Sequence, residues 1–381
     1  MRRLLVALVA ALLGVLLAAC SPASSTPTSS PTPSSLTPTV LPPPSTPTAV
    51  PTPGTIGVLL PSVGSTRWVK DGNFVRQQLE AGGYTVQLRF AGDDALVQAQ
   101  QLDDLVAAGV QAIVVAPVTD TGLTAGLAAA AARGIPVVAY DRLPLQTPDV
   151  TYYVTFDNTR TGVLQAESLV AGLTARGTPK PWRIELFAGS AEDNNARLVF
   201  DGAMSVLQPL IDDGSLVVGS GQTSFTKAVT PNWSYASAGT RMRKLIRKAA
   251  GREQVIDGVL SPSDLLTRAI IDASVASGYG DEPPLPVLTG QDAELANVKL
   301  MLAGKQFSTV FKDNRELAKA AAQLVDEAVR GEPVTVNDTT SFDTGALVVP
   351  ARVVDVVGIT AEDAVDVLLA ANYYTQDQLG A

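Results

Sequence analysis

Residues 112–140 read AIVVAPVTDTGLTAGLAAAAARGIPVVAY. The run Ala112–Ala116 is short, continuous and rich in β-branched residues, the pattern of a strand buried on both faces. An alanine-rich stretch, Thr121–Arg133, follows and stops at Gly134, and Pro136–Tyr140 then repeats the strand pattern. Alanine is the best helix former and glycine the commonest helix stop, so the segment predicts a strand–helix–strand unit. A helical crossover returns the chain to the end it started from, which makes the two strands parallel. Upstream, the same unit predicts strands at Thr55–Leu60 and Thr85–Phe90, with helices at Trp68–Ala81 and Ala95–Ala108 stopped by Gly82 and Gly109. Downstream, Ile184–Phe187, Leu216–Val218, Gly258–Leu260, Val287–Leu288 and Thr309–Phe311 are strand candidates with helices between them. Leu347–Val357 is a last β-rich stretch and Glu362–Ala371 a closing helix. The fold class is α/β, and two doubly wound parallel-sheet lobes are expected in place of one giant sheet. Ligands of such sheets bind beyond the carboxyl ends of the strands, so the expected site is the cleft between the lobes.

The start of the chain has a different character. Met1-Arg2-Arg3 is basic, Leu4–Leu17 is unbroken apolar sequence, and small residues then lead to Cys20, the only cysteine. This predicts an export signal over residues 1–19, too short to span a bilayer comfortably. Closing on cysteine, it resembles the lipobox of bacterial lipoproteins, which implies cleavage before Cys20 and a lipid on its sulfur. Residues 21–53 are almost wholly Ser, Thr and Pro, with eleven prolines and no charge. So little apolar surface cannot offset the entropy of ordering, and residues 20–53 are expected to form a disordered tether.

The whole chain carries a net charge of −9 and no histidine. Without a basic stripe, nucleic acid is not an expected partner. The missing histidine removes the commonest general base and metal ligand, and with a single cysteine it argues against Ser-His or Cys-His hydrolysis and against zinc.

Polar residues gather just past the predicted strands. Arg67 and Trp68 follow the first, Asp141 and Arg142 the fourth, and Asp193, Asn194 and Asn195 the first strand of the second lobe. Asp264, Asp292 and Lys312 follow later strands, and Trp233 lies nearby. Sugar hydroxyls both donate and accept, which suits carboxylates beside amides and cations, while the apolar face of a pyranose suits an indole. Each residue also has a plainer reading: Asp141 and Arg142 as an ion pair, Asp193 and Asp264 as helix caps, the tryptophans as core. Recurrence of Arg, Lys and Trp at so many strand ends exceeds what capping requires.

The order of these motifs is distinctive. Arg67-Trp68, Tyr140-Asp141-Arg142, Thr155-Phe156-Asp157-Asn158, Asp193-Asn194-Asn195-Ala196, Gly290-Gln291-Asp292-Ala293 and Phe311-Lys312-Asp313-Asn314 succeed one another. The series resembles the xylose-binding and multiple-sugar-binding group of type I periplasmic binding proteins, the receptors of sugar ABC importers. The likeness runs from about Ile56 to Leu379. It implies two lobes joined by a three-strand hinge, the first at 54–157 with 313–343 and the second at 158–312 with 344–381. The crossings would then lie near Asp157-Asn158, Lys312-Asp313 and Thr344. By resemblance, Trp68 and Trp233 stack on the ring, and Arg67 and Arg142 donate to hydroxyls. Asp141, Asp193, Asn194, Asn195, Asp264 and Asp292 hold further hydroxyls, and Lys312 donates at the hinge. It also implies a monomer that needs no cofactor and works with a transporter permease. Its place would be the outer face of the plasma membrane, or the periplasm where an outer membrane exists. No Asp-rich calcium loop is present, so no metal is expected.

Two other functions remain open at this point. A sugar sensor that presents its ligand to a membrane kinase or chemoreceptor would have the same pocket. A carbohydrate-active enzyme could use paired carboxylates, although no G-x-G-x-x-G or P-loop sequence sits at a strand-to-helix turn.

Overall fold

The computed structural model describes residues 39–41, 53–64, 66–177 and 179–380. The expected signal segment and Cys20 lie outside the described residues. In chain order the first strands are β1 (Thr39–Leu41), β2 (Thr55–Leu60), β3 (Thr85–Phe90), β4 (Ala112–Val115), β5 (Val137–Tyr140) and β6 (Tyr152–Phe156). Then come β7 (Trp182–Leu186), β8 (Leu216–Val218), β9 (Gly258–Leu260), β10 (Val287–Leu288) and β11 (Ser308–Phe311). The last are β12 (Val334–Val336), β13 (Ala351–Val354) and β14 (Val357–Thr360).

The first sheet has the order β13-β6-β5-β4-β2-β3, parallel throughout. Alternate residues of its strands enter different cores, as the pleat requires. Val58, Val114, Val138 and Phe156 pack under the helices Thr66–Ala81 and Asn314–Arg330, through Val75, Leu317 and Leu324. Leu59, Ile113, Val137 and Tyr153 pack on the other side against Leu102 and Leu127 of the helices Ala95–Ala108 and Thr124–Ala132. The second sheet has the order β10-β9-β7-β8, again parallel. A parallel bridge between Gln291 and Val310 carries it on to β11, against which β14 runs antiparallel. The second lobe thus repeats the strand order of the first, except that its last strand, β14, runs antiparallel where β13 runs parallel, and each lobe is covered by helices on both faces.

Three passages connect the sheets. After β6 the chain enters the helix Asn158–Ala175, which packs on β9, β10, β11 and β14. After β11 it returns to the helix Asn314–Arg330 on the first sheet. The third passage corrects the expectation of a crossing near Thr344. The Thr344 hydroxyl donates to the Thr147 carbonyl at 2.6 Å, and the Gln146 N–H donates to the Thr344 carbonyl at 2.6 Å, so this loop is fastened to the first lobe. β13 then pairs with β6 over four residues, and the chain changes sheets only at Asp355-Val356. Residues 344–354 therefore belong to the first lobe.

The expected tether lies outside the described residues except at 39–41 and 53, and the first of these stretches corrects the expectation of disorder there. The backbone of Thr39–Leu41 pairs antiparallel with β12, in register Thr39 with Val336 and Leu41 with Val334. This is the one Thr-Val-Leu run in a proline-rich segment, and β12 presents it with an open edge.

Candidate functional site

The carboxyl ends of the two sheets face a cavity of ≈ 330 Å³, within the usual range for a small-molecule site. Of the residues expected at a site, Arg67, Trp68, Arg142, Asp193, Trp233 and Asp292 line it. The first three come from the first lobe, the others from the second.

Arg67 and Trp68 open the helix Thr66–Ala81 directly beyond β2. The Arg67 guanidinium lies 4.8 Å from the Trp68 ring centre and that of Arg142 5.2 Å from it, so two cations share one indole. Arg67 Nη2 donates to Asp141 Oδ1 at 2.7 Å. Burial pulls the Arg67 pKa down, but the charges of Asp141, Asp71 and Asp292 outweigh it, and the group stays firmly protonated. Burial likewise opposes the Asp141 charge, and Arg67 and Lys312 overcome it, holding that carboxyl below its ordinary range.

Trp233 closes a short turn, Pro231–Trp233, and faces Asp193. Its indole N–H donates to Asp193 Oδ2 at 3.1 Å. The ring packs on Gly189 so closely that a Cβ there would lie 2.1 Å from it. Asp193 also meets Arg142 across the lobes, Nε to Oδ2 at 2.9 Å, although the N–H is not aimed at that oxygen. Nearby, Asp120 of the first lobe accepts the Asn194 N–H at 3.4 Å, and burial beside Asp193 pushes its carboxyl up to about 7.

Asp292 follows β10 on a backbone of positive φ, 92°, with Ala293 at 46°. Asp141, Asn232 and Trp233 are also left-handed, at 61°, 52° and 51°. Non-glycine residues rarely hold this conformation, and several around one cavity mark a constrained site. Asp292 Oδ1 is buried and has no hydrogen-bond partner in the protein. The wall therefore offers an acceptor, cations and two indoles, a set that fits a neutral, hydroxylated ring.

The other expected residues stand away from the cavity wall. Asp141 lies behind Arg67, as described. Asn195 donates from Nδ2 to the Asp141 carbonyl at 2.6 Å, and the Tyr153 hydroxyl donates to its Oδ1 at 3.4 Å. Asn194 meets Asp120 through its backbone. Asp264 is fully buried and turned inward, accepting from Gln306 Nε2 at 3.0 Å, Thr309 Oγ1 at 2.9 Å and the Glu294 N–H at 2.8 Å. Burial, then the charge of Asp292, raises its pKa well above the carboxylate range. Lys312 is buried at the second passage, donating to Gln291 Oε1 at 3.2 Å and Asn158 Oδ1 at 3.3 Å. Burial lowers its pKa.

The wall also contains groups not anticipated. Ser62 and Asp93 stand beyond β2 and β3, joined by a 2.7 Å hydrogen bond. Asp93 follows its strand in Ala91-Gly92-Asp93-Asp94, so strand-end position could have identified it. Arg268 and Glu294, paired at 2.7 Å, come from a helix and a loop and carry no such signal. Among the described residues no group of three or more Cys, Asp or Glu side chains could hold a metal ion.

Comparison with known proteins agrees with this architecture. Residues 56–333 match the periplasmic binding protein domain family. The multiple sugar-binding periplasmic protein SbpA of Azospirillum brasilense is 44% identical over 85% of this chain and 90% of its own length. The multiple sugar-binding periplasmic receptor ChvE of Rhizobium radiobacter is 42% identical over 86% of this chain and 92% of its own. Among solved structures, an ABC transporter solute-binding protein from Clostridium phytofermentans with bound β-D-glucose superposes with a TM-score of 0.81. It is 38% identical, with 85% of this chain and 99% of that one covered. The chain belongs to the periplasmic binding protein domain family, and within it to the type I sugar-binding group.

Proposed function

We propose that this chain is an extracytoplasmic receptor that captures one monosaccharide, D-glucose, D-xylose or a similar aldose, between two closing lobes and presents it to an ABC importer. The observation that carries the reading is a cavity with Trp68 on one lobe, Trp233 on the other, and the partnerless Asp292 Oδ1 beside them. Two indoles can cover the apolar faces of a pyranose while Asp292 accepts from a hydroxyl and the Arg67 and Arg142 region donates. The glucose-bound relative supports the choice of ligand class, and receptors rather than enzymes among the similar proteins support binding without turnover. Export and lipid attachment at Cys20 are part of the proposal, on the strength of the lipobox resemblance.

Calorimetric titration with D-glucose, D-xylose, D-galactose, L-arabinose and D-ribose tests it. Tight one-to-one binding of one or a few sugars, each recovered unchanged, is the expected result. No heat with any of them, from folded and ligand-free protein, would overturn it.

A further inference from the structure

One face of the second lobe runs against the charge of the molecule. The chain has 37 acidic and 28 basic residues, yet no Asp or Glu occurs from Gly214 to Arg252. The same stretch holds Lys227, Arg252 and five cations of the helix Tyr235–Ala250. That helix is strongly two-sided. Ala238, Met242, Leu245 and Ile246 enter the core, whereas Arg243, Lys244, Arg247 and Lys248 are exposed on the opposite side. Spacings of three and four residues place these four cations on one face.

None of these four, nor Lys227 or Arg252, is in an ion pair among the described residues. Lys248 Nζ donates to the Ser220 carbonyl at 3.0 Å and Arg252 Nη1 to that of Gly219 at 3.4 Å, so their contacts are with neutral groups. Beside the helix is a hollow of ≈ 520 Å³ whose wall includes Gln222, Lys227, Ser237, Thr240, Arg241 and Lys244. Arg241 is fixed there by Leu186 O at 2.8 Å and Gln222 Oε1 at 2.7 Å, over the Phe187 ring. The acidic groups near this face are Glu185, largely buried behind Arg241, Asp272, which accepts from the Tyr235 hydroxyl, and exposed Glu253, whose N–H donates to the Ala250 carbonyl at the end of the helix.

We propose that this cationic face docks on the anionic phospholipid headgroups of the membrane surface. Clustered cations in a hollow with hydroxyl and amide donors match phosphate oxygens, and each basic side chain near an anionic surface adds to attraction. The choice of a membrane as occupant rests on the lipoprotein reading. Eighteen residues separate Cys20 from β1, a contour of at most about 56 Å at ~3.1 Å per residue, so an anchor at Cys20 would keep the folded part near the surface. Docking by this face would hold the receptor at the surface by its second lobe and leave the cavity residues out of the contact.

Flotation with lipid vesicles tests this, using the unlipidated chain from Ser21 to Ala381. Both sheets and their cores lie within residues 53–380, and the solved relative is a chain of that extent. At low salt, recovery with phosphatidylglycerol–phosphatidylcholine vesicles should exceed that with pure phosphatidylcholine by about tenfold or more, and rising salt should abolish the excess. The quadruple variant Arg243→Gln, Lys244→Gln, Arg247→Gln, Lys248→Gln should lose about tenfold of that binding while its D-glucose titration stays unchanged. Equal recovery with both vesicles, or an unaffected variant, would overturn the proposal. Full competition by millimolar inorganic phosphate would also overturn it, in favour of a site for the free ion. Because the vesicle assay needs neither sugar nor anchor, its failure is separable from failure of the receptor reading.

Discussion

Arg67 is flanked by two buried carboxylates and can satisfy only one well. Asp141 receives its hydrogen bond at 2.7 Å, whereas Asp71 Oδ2 stands 3.6 Å from Arg67 Nε, and neither of those atoms has a hydrogen-bond partner. Asn314 donates to the other oxygen of Asp71. Burial then dominates, and the Asp71 carboxyl is pushed up from 3.8 to about 7. The folded chain keeps a proton there that the unfolded chain releases. The stabilisation this represents is complete below about pH 4 and is lost as the pH rises through about 7. Asp71→Asn removes the titration. Melting temperature should therefore fall less steeply between pH 4 and 8 in the variant than in the parent, and the variant should be the more stable at pH 8. Calorimetric scans across that range check this; parallel curves would show that Asp71 is charged throughout.

At the scale of elements, the second lobe depends on how closely two helices cross. Asn158–Ala175 and Asn194–Asp212 meet at glycines: a Cβ on Gly162 would lie 1.9 Å from the Val199 carbonyl oxygen, and one on Gly202 2.2 Å from that of Thr159. Backbone cannot yield as a side chain can. Gly162→Ala should cost about 3 kcal/mol or more and lower the melting temperature by several degrees, as read by thermal unfolding. An unchanged transition would mean that the helices separate freely. Neither glycine announces this in the sequence, where each is one more small residue in a helical pattern. Strands were more legible. β2, β4 and β5 are buried on both faces, so their apolar runs stand out between glycine stops. β13 and β14 are only two residues apart and equally short, and nothing in their composition says that they belong to different sheets. The site divides in the same way. A carboxylate past a strand end reads alike whether it faces the cavity, as Asp292 does, or turns inward, as Asp264 does. What turns Asp264 inward is Gly290, whose missing side chain leaves room for the carboxylate, together with donors from Gln306 and Thr309 far along the chain.

For the molecule as a whole, the proposed receptor function would depend on the free-energy difference between open and closed lobes, which three passages of the chain join among the described residues. Contacts that exist only when the lobes meet, such as Arg142 with Asp193 and Asn195 with the Asp141 carbonyl, favour closure without choosing a ligand. A ligand shifts the balance only through groups it engages better in the closed form. Asp292 has the properties of such a group. It projects from the second lobe on a strained backbone, its Oδ1 is buried without a partner, and the positive charges of Arg67 and Lys312 lie within its electrostatic reach. A sugar hydroxyl donating to it would relieve a desolvated charge, while the rest of the ring is held by Trp68 across the cleft. Removing the carboxylate should therefore uncouple binding from closure and weaken binding by about a hundredfold, in line with loss of a charged hydrogen bond worth ~1.5–3 kcal/mol. Small-angle scattering of the parent should show compaction on adding D-glucose, and Asp292→Ala should show none at the same sugar concentration. Equal compaction of the two proteins would place the closing contact elsewhere, with the Arg142–Asp193 bridge as the next group to remove.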